Sequence, residues 1–191
     1  MKFLQTPTSE ELEKELKREQ YKTKYHKTLR STVFILITAA AAAVLVAMLW
    51  LPVLQIYGAS MTPTLEEGQI VVSLKGGRYE TGDVIAFYYG NKLLVKRYIA
   101  GPGSWVDIAE DGTVTVDGVQ LQEPYLREKS LGNCDLTLPY QVPEGKYFLM
   151  GDHRETSIDS RHSSVGCVGA DVIVGRIVYR IWPMDAIGAI S

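Results

Sequence analysis

Three short stretches of the sequence carry residue types that can do chemistry together. In Gly58-Ala59-Ser60-Met61-Thr62-Pro63-Thr64-Leu65 a serine follows a small residue and precedes a proline-restricted turn. Ala59 lets another backbone approach closely, and the turn can expose Ser60 as a nucleophile with its own N–H beside a developing oxyanion. Serine in such a turn is most often structural, so Ser60 gains weight only from a partner base. Lys96 is the candidate, because it interrupts the apolar run at residues 93–99. There an unpaired ammonium is costly, unless the side chain snorkels to water. Strand alternation points Lys96 inward and Arg97 to the opposite face, where a peripheral ion pair is expected. At the ordinary lysine pKa only about one amine in 2500 is neutral at pH 7; lowering that pKa by about three units takes roughly 4 kcal/mol of environment and makes a usable base.

The third stretch is Gly151-Asp152-His153-Arg154-Glu155-Thr156-Ser157-Ile158-Asp159-Ser160-Arg161, directly after an apolar run at residues 147–150. Ser157 can orient a neutral lysine through its hydroxyl. Asp152, Asp159, Arg97 and Arg161 can compensate one another around the loop. By composition alone the same segment reads as a solvated turn. A serine with a dry, oriented amine needs no aspartate, which is the chemistry of a Ser–Lys dyad.

The elements that must hold these residues fall into separate parts of a 191-residue chain. Residues 31–65 carry no charge, and all 17 glycines follow residue 54. The formal charge of −2 is too balanced for a general nucleic-acid binder, and 46% hydrophobic against 22% charged residues argues against wholesale disorder. Residues 33–54 hold one conventional polar side chain, Thr38, and about 20 helical residues cross a bilayer core. Pro52 marks the end of the regular helix. A cleaved secretory signal fits poorly, since some 30 residues precede the apolar core. A buried globular helix of that length without a charge would be unusual. Residues 31–54 therefore read as an uncleaved transmembrane anchor. Residues 1–30 carry eight basic and five acidic groups, with Lys22, Lys24, Lys27 and Arg30 just before the span. That asymmetry predicts a cytoplasmic N-terminus and an extracytoplasmic C-terminal domain. The arm predicts a surface helix, opened by a Thr8–Glu11 capping box and supported by Glu10–Lys14 and Glu13–Lys17 pairs.

Residues 55–191 are punctuated by glycine and proline and carry 12 basic against 17 acidic groups, which argues against a polybasic surface. Short apolar runs at 69–72, 83–88, 93–99, 105–109, 113–116, 147–150 and 172–181 predict strands, with turns at Asp111-Gly112 and Asp117-Gly118. No helix of 12 residues is expected after residue 54. The expectation is a mainly β, mainly antiparallel domain around one core. Residues 121–143 read as a surface excursion that covers a sheet edge or forms a flap. Cys134 and Cys167 can pair in an oxidising compartment, but sequence cannot decide between a disulfide and two thiols.

Taken together and in this order, the anchor, residues 58–65, Gly82-Asp83-Val84-Ile85-Ala86-Phe87, Val95-Lys96-Arg97-Tyr98-Ile99-Ala100-Gly101-Pro102-Gly103 and residues 151–161 resemble the bacterial type I signal peptidases, or leader peptidases, in their compact single-anchor form. The resemblance implies an extended antiparallel β catalytic domain behind one transmembrane helix, held at the outer membrane surface. It implies Ser60 as acylating nucleophile, Lys96 as general base, and Ser157 as the hydroxyl that orients the lysine, with Asp159 and Arg161 in support. It places Ile56, Met61, Leu65, Leu94 and Val95 near two shallow substrate pockets; each can equally be ordinary core. Its substrates are secretory preproteins with small residues at the first and third positions before the cleaved bond. Such a segment can add to a sheet edge while alternate side chains enter the pockets. Membrane lipid is a further partner and a secretion translocon a candidate one. No nucleic acid, metal or organic cofactor is called for, and a monomer is the default.

The chain departs from the family pattern twice. Gly58 stands where some members carry a hydroxyl, and His153 stands where asparagine is usual. Two other functions compete with this one: a serine protease using His153 or His162 with Asp159, and an exported β-domain that binds peptides or membrane proteins without cutting them.

Overall fold

A computed structural model describes residues 9–190 of the chain. Thr8, half of the expected capping box, lies outside the described residues. Contacts divide the chain into two units, one ending at Ala47 and the other beginning at Met48.

The first unit holds most of α1 (Ser9–Trp50), one uninterrupted helix of 42 residues whose last three residues belong to the second. In its polar half the ion pairs seen among the described residues are the i,i+3 pairs Glu15–Arg18 and Glu19–Lys22, rather than the i,i+4 pairs expected. In its apolar half Thr38 donates its hydroxyl to the Phe34 carbonyl at 2.8 Å, so that O–H is not left unpaired. The helix is long and apolar enough to cross a membrane, and its apolar side chains are exposed. The helix stops at Trp50, two residues before Pro52, where the sequence places the end of the regular helix. Pro52 cannot continue it, and the apolar residues that follow pair as a strand instead.

In the second unit the strands are β1 (Val53–Gln55), β2 (Ile70–Leu74), β3 (Val84–Tyr89), β4 (Lys92–Ala100), β5 (Trp105–Ile108), β6 (Val114–Val116), β7 (Val119–Gln120), β8 (Tyr140–Gln141), β9 (Lys146–Met150), β10 (Val168–Gly169), β11 (Ile173–Trp182) and β12 (Gly188–Ala189). The larger sheet runs β1-β2-β11-β3-β4-β9-β10, with β12 on β11; the smaller runs β7-β6-β5-β8. Every ladder is antiparallel, as the sequence pattern predicts. Helical structure beyond α1 is limited, among the described residues, to two three-residue 3₁₀ turns.

Both predicted turn dipeptides act as expected. Asp117 and Gly118 take φ of 52° and 79° and join Val116 to Val119, the paired positive values that suit a two-residue hairpin. At Asp111-Gly112 the loop is one residue longer: Ala109 and Thr113 close it, and Gly112 supplies the left-handed residue at φ 82°.

The centre of the larger sheet is covered on both faces. Ile85 and Phe87 of β3 enter one buried cluster with Tyr98 and Leu149, while Val84 and Ala86 enter another with Ile56, Met61, Leu65, Val71 and Ile177. Directly paired residues share a face, so Lys96, opposite Ile85, joins the first side, and Arg97, opposite Val84, the second. A third cluster joins β4 and β9 to the small sheet through Ile99, Val106, Val114 and Phe148. The excursion at residues 121–143 packs Leu121, Leu131, Leu136 and Leu138 against this third cluster. Cys134 and Cys167 are free thiols.

Candidate active site

The burial of both sheet faces sets the chemistry of Lys96. The side chain is 3% exposed, and its Nζ donates to Ser157 Oγ at 3.0 Å. Burial is the main cause that lowers its pKa, to about 8; the neighbouring charges of Asp159, Arg161 and Asp152 partly cancel one another. About one such amine in ten is neutral at pH 7, against one in some thousands for a solvated lysine. A neutral amine that gives one N–H to Ser157 keeps its lone pair free to accept a proton.

Ser157 belongs to a loop that is held from several sides. Asp159 is buried and accepts Arg161 Nε and Nη2, both at 2.9 Å, and the Gly151 N–H at 2.8 Å. Burial by itself would raise that carboxyl; the Arg161 hydrogen bonds and charge outweigh it and hold it below the usual carboxylate range. Arg161 turns its remaining N–H groups onto the Leu131 and Arg154 carbonyls, at 2.7 and 2.8 Å. Asp152 takes Arg97 in a two-pronged pair, Nε to Oδ1 at 2.9 Å and Nη2 to Oδ2 at 2.8 Å, and also accepts the Thr64 hydroxyl. The expected peripheral pair of Arg97 is thus corrected. Arg97 is 1% exposed, because the second face of β4 is as fully covered as the first.

The loop also meets the serine. The His153 N–H donates to the Ser60 carbonyl at 3.0 Å, while Ser60 itself is half-buried. Gly151 sits between the two hydroxyl residues. A Cβ built on it would collide with Ser157 Oγ and come within 2.6 Å of the Ser60 carbonyl oxygen. Sequence reading quotes this glycine as part of a motif but gives it no role; only the close approach reveals one. Gly151→Ala is expected to cut cleavage by about ten- to a hundredfold by displacing Ser157 and Ser60, while the melting temperature moves less; kcat against a peptide substrate checks it. Gly58, at φ +80°, occupies a left-handed position, where a hydroxyl-bearing residue would be strained despite open space around it.

Gln55, Ile56, Gly58, Ser60, Met61, Leu94 and Val95 line one shallow cleft of about 40 Å³. Four of the five expected pocket residues therefore meet beside the serine. The fifth, Leu65, is fully buried in the cluster with Val71 and Ile177 and does not line the cleft.

Sequence reading also missed the reach of the excursion. Glu123 forms a buried ion pair with Arg154, and the Tyr125 ring lies 3.7 Å from the Arg97 guanidinium carbon. These contacts join residues about 30 positions apart, with no local signal to announce them. The histidines are engaged elsewhere. His153 Nδ1 meets Thr156 Oγ1 at 3.0 Å, and His162 lies between Ser164 Oγ at 2.8 Å and Asp135 Oδ2 at 3.7 Å. Asp159, the partner assumed in the histidine alternative, is occupied by Arg161.

The family model described as signal peptidase, peptidase S26, matches residues 29–182. The chain belongs to the signal peptidase family. Signal peptidase IB of Staphylococcus aureus strain COL is 37% identical over 150 residues, covering 68% of this chain and 77% of that protein. Signal peptidase I of Bacillus licheniformis is 34% identical over 166 residues, covering 80% and 88%. A signal peptidase I crystal structure from Enterococcus faecalis V583 is 30% identical, covers 52% of this chain and 97% of that one, and superposes with a TM-score of 0.43. The protein is accordingly a serine peptidase that removes signal peptides, and the apolar helix ahead of its β-sheets is a membrane anchor.

Proposed function

We propose that this signal peptidase cuts by a Ser60–Lys96 dyad. The observation that carries the reading is the buried Lys96 amine, lowered to about 8 and held by Ser157 in a loop that also binds the Ser60 backbone. Neutral Lys96 takes the Ser60 proton as Oγ attacks the carbonyl carbon of the scissile bond. The resulting ammonium protonates the leaving amine, the C–N bond breaks, and an ester remains on Ser60. Lys96, neutral again, then activates a water that attacks the ester and frees the serine. The Ser60 N–H is the oxyanion donor, since Gly58 offers no side chain.

Strand pairing supports a place for the substrate. β3 pairs with β4 from Lys92 to Arg97, whereas β9 pairs with β4 only from Arg97 onward. Among the described residues, 93–95 thus have a free edge in the larger sheet, and β1, preceding the other cleft wall, pairs only with β2. An extended signal-peptide end can add there through backbone hydrogen bonds. The cleft is small, about 40 Å³, which favours small side chains at the first and third positions before the bond.

The charge asymmetry of the arm supports a cytoplasmic N-terminus with the β-domain outside. Residues 1–30, 31–50 and 53–191 then serve as arm, anchor and catalytic domain. The test is incubation of the full chain with a preprotein, followed by mass measurement of both products. One cut after a small residue, lost in Ser60→Ala, is the expected result. Persistent cutting by folded Ser60→Ala rejects the nucleophile.

A further inference from the structure

Two grooves meet the loop that carries Ser60. Gly58, Ser60 and Met61 line the shallow cleft, and two residues beyond the serine Thr62 enters a second, larger groove of about 480 Å³. Arg127, Lys129, Asp152, His153 and Glu155 also line it. The second groove is tied directly to the nucleophile, because His153 on its wall donates its backbone N–H to the Ser60 carbonyl.

A chain cut at Ser60 must extend to both sides of the bond. With the residues before the bond in the shallow cleft, those after it leave past Ser60 toward Thr62 and His153. We infer that the second groove is the subsite for the first residues of the mature chain, taken as an extended polar segment. The inference rests on the dyad reading of Ser60 given above.

The chemistry of the groove fits such an occupant. Asp152 and Arg154 are engaged by Arg97 and Glu123, Lys129 donates to Thr113 Oγ1 at 3.2 Å, and Glu155 accepts the Ser130 hydroxyl. Arg127 and its neighbour Glu128 are exposed and make no ion pair among the described residues. The wall therefore offers a cation and an anion side by side, together with polar loop groups. A soluble mature segment suits that surface; a hydrophobic signal core does not.

The experiment uses the full chain in detergent and preprotein substrates that share one signal peptide. Their mature side is four polar residues, a single residue amide, or four residues with Glu or Lys at the second and third positions. Truncation to one residue is expected to lower kcat/KM by about tenfold, the loss of about two backbone hydrogen bonds. Arg127→Glu is expected to shift the ratio of kcat/KM for Glu to Lys substrates toward lysine by about threefold, the size of an exposed charge pair; Glu128→Lys shifts it the other way. Equal kcat/KM across truncated and extended substrates, with cutting intact, overturns the groove assignment and leaves the dyad standing. Cutting that survives Ser60→Ala overturns the dyad reading instead, and the inference with it.

Discussion

Lys96→Met is expected to lower signal-peptide cleavage by about 10³–10⁴-fold while making the folded protein more stable at neutral pH. On the proposed dyad, the activity loss follows from removing the amine that Ser157 holds. The stability gain follows from linkage. Burial depresses the Lys96 pKa to about 8 in the folded state, whereas the unfolded chain keeps the ordinary value near 10.5. Between those pH values the unfolded state binds more protons, so stability rises with pH across the window and stands at its full deficit below about 8. The deficit is on the order of 3 kcal/mol, since each pKa unit is worth about 1.4 kcal/mol. Methionine fills a similar volume without charge but gives up the bond to Ser157, so a net gain of about 1–3 kcal/mol is expected. Kinetics with a preprotein and urea unfolding at pH 7 read the two effects separately. A variant that loses activity and stability together would mean that Lys96 is mainly a structural cation.

Asp159→Asn is expected to have the opposite balance, with a large loss of stability and a smaller, pH-dependent change in rate. It leaves the fully buried Arg161 guanidinium without its counter-charge, which ordinarily costs about 3–5 kcal/mol. That is a large fraction of the total stability of a typical domain. Its effect on the reaction runs through Lys96. The Asp159 charge favours the ammonium form, so its removal lowers the Lys96 pKa further and moves the acid limb of activity to lower pH. Denaturation midpoints and a pH series at low temperature measure the two consequences. An unchanged midpoint would show that Arg161 finds other compensation in the loop.

The candidate residues can be named from sequence because their motifs are local. Ser60 sits in a small-residue turn, Lys96 interrupts an apolar run, and Ser157 lies in a polar segment that directly follows a strand. Alternation correctly put Lys96 and Arg97 on opposite faces of β4. It could not tell that the second face is also covered, because one strand's pattern carries no information about what packs on it. The burial of Arg97 depends on Asp152, Thr64 and Tyr125, which come from three distant segments. Leu65 shows the same limit. An apolar residue five positions after the serine reads as pocket or core equally well, and only the packing of Val71 and Ile177 around it decides. Pro52 locates the end of α1 to within two residues, but the apolar run continues past it. Val53 and Leu54 are as apolar as the helix before them, and hydropathy does not distinguish an anchor's last turn from a sheet's first strand. Asp117-Gly118, by contrast, needed no tertiary context, since positive φ at both turn positions is a local requirement that Gly meets without strain and Asp tolerates.

The central claim is that cleavage requires the neutral form of Lys96. It is tested most directly by the pH dependence of single-turnover acylation of the full chain by a preprotein. The predicted rate rises about tenfold per pH unit on the acid side, levels off near pH 8, and reports a group that Lys96→Met removes. A rate that stays flat from pH 6 to 8, or a limb that persists in Lys96→Met at comparable activity, would contradict it.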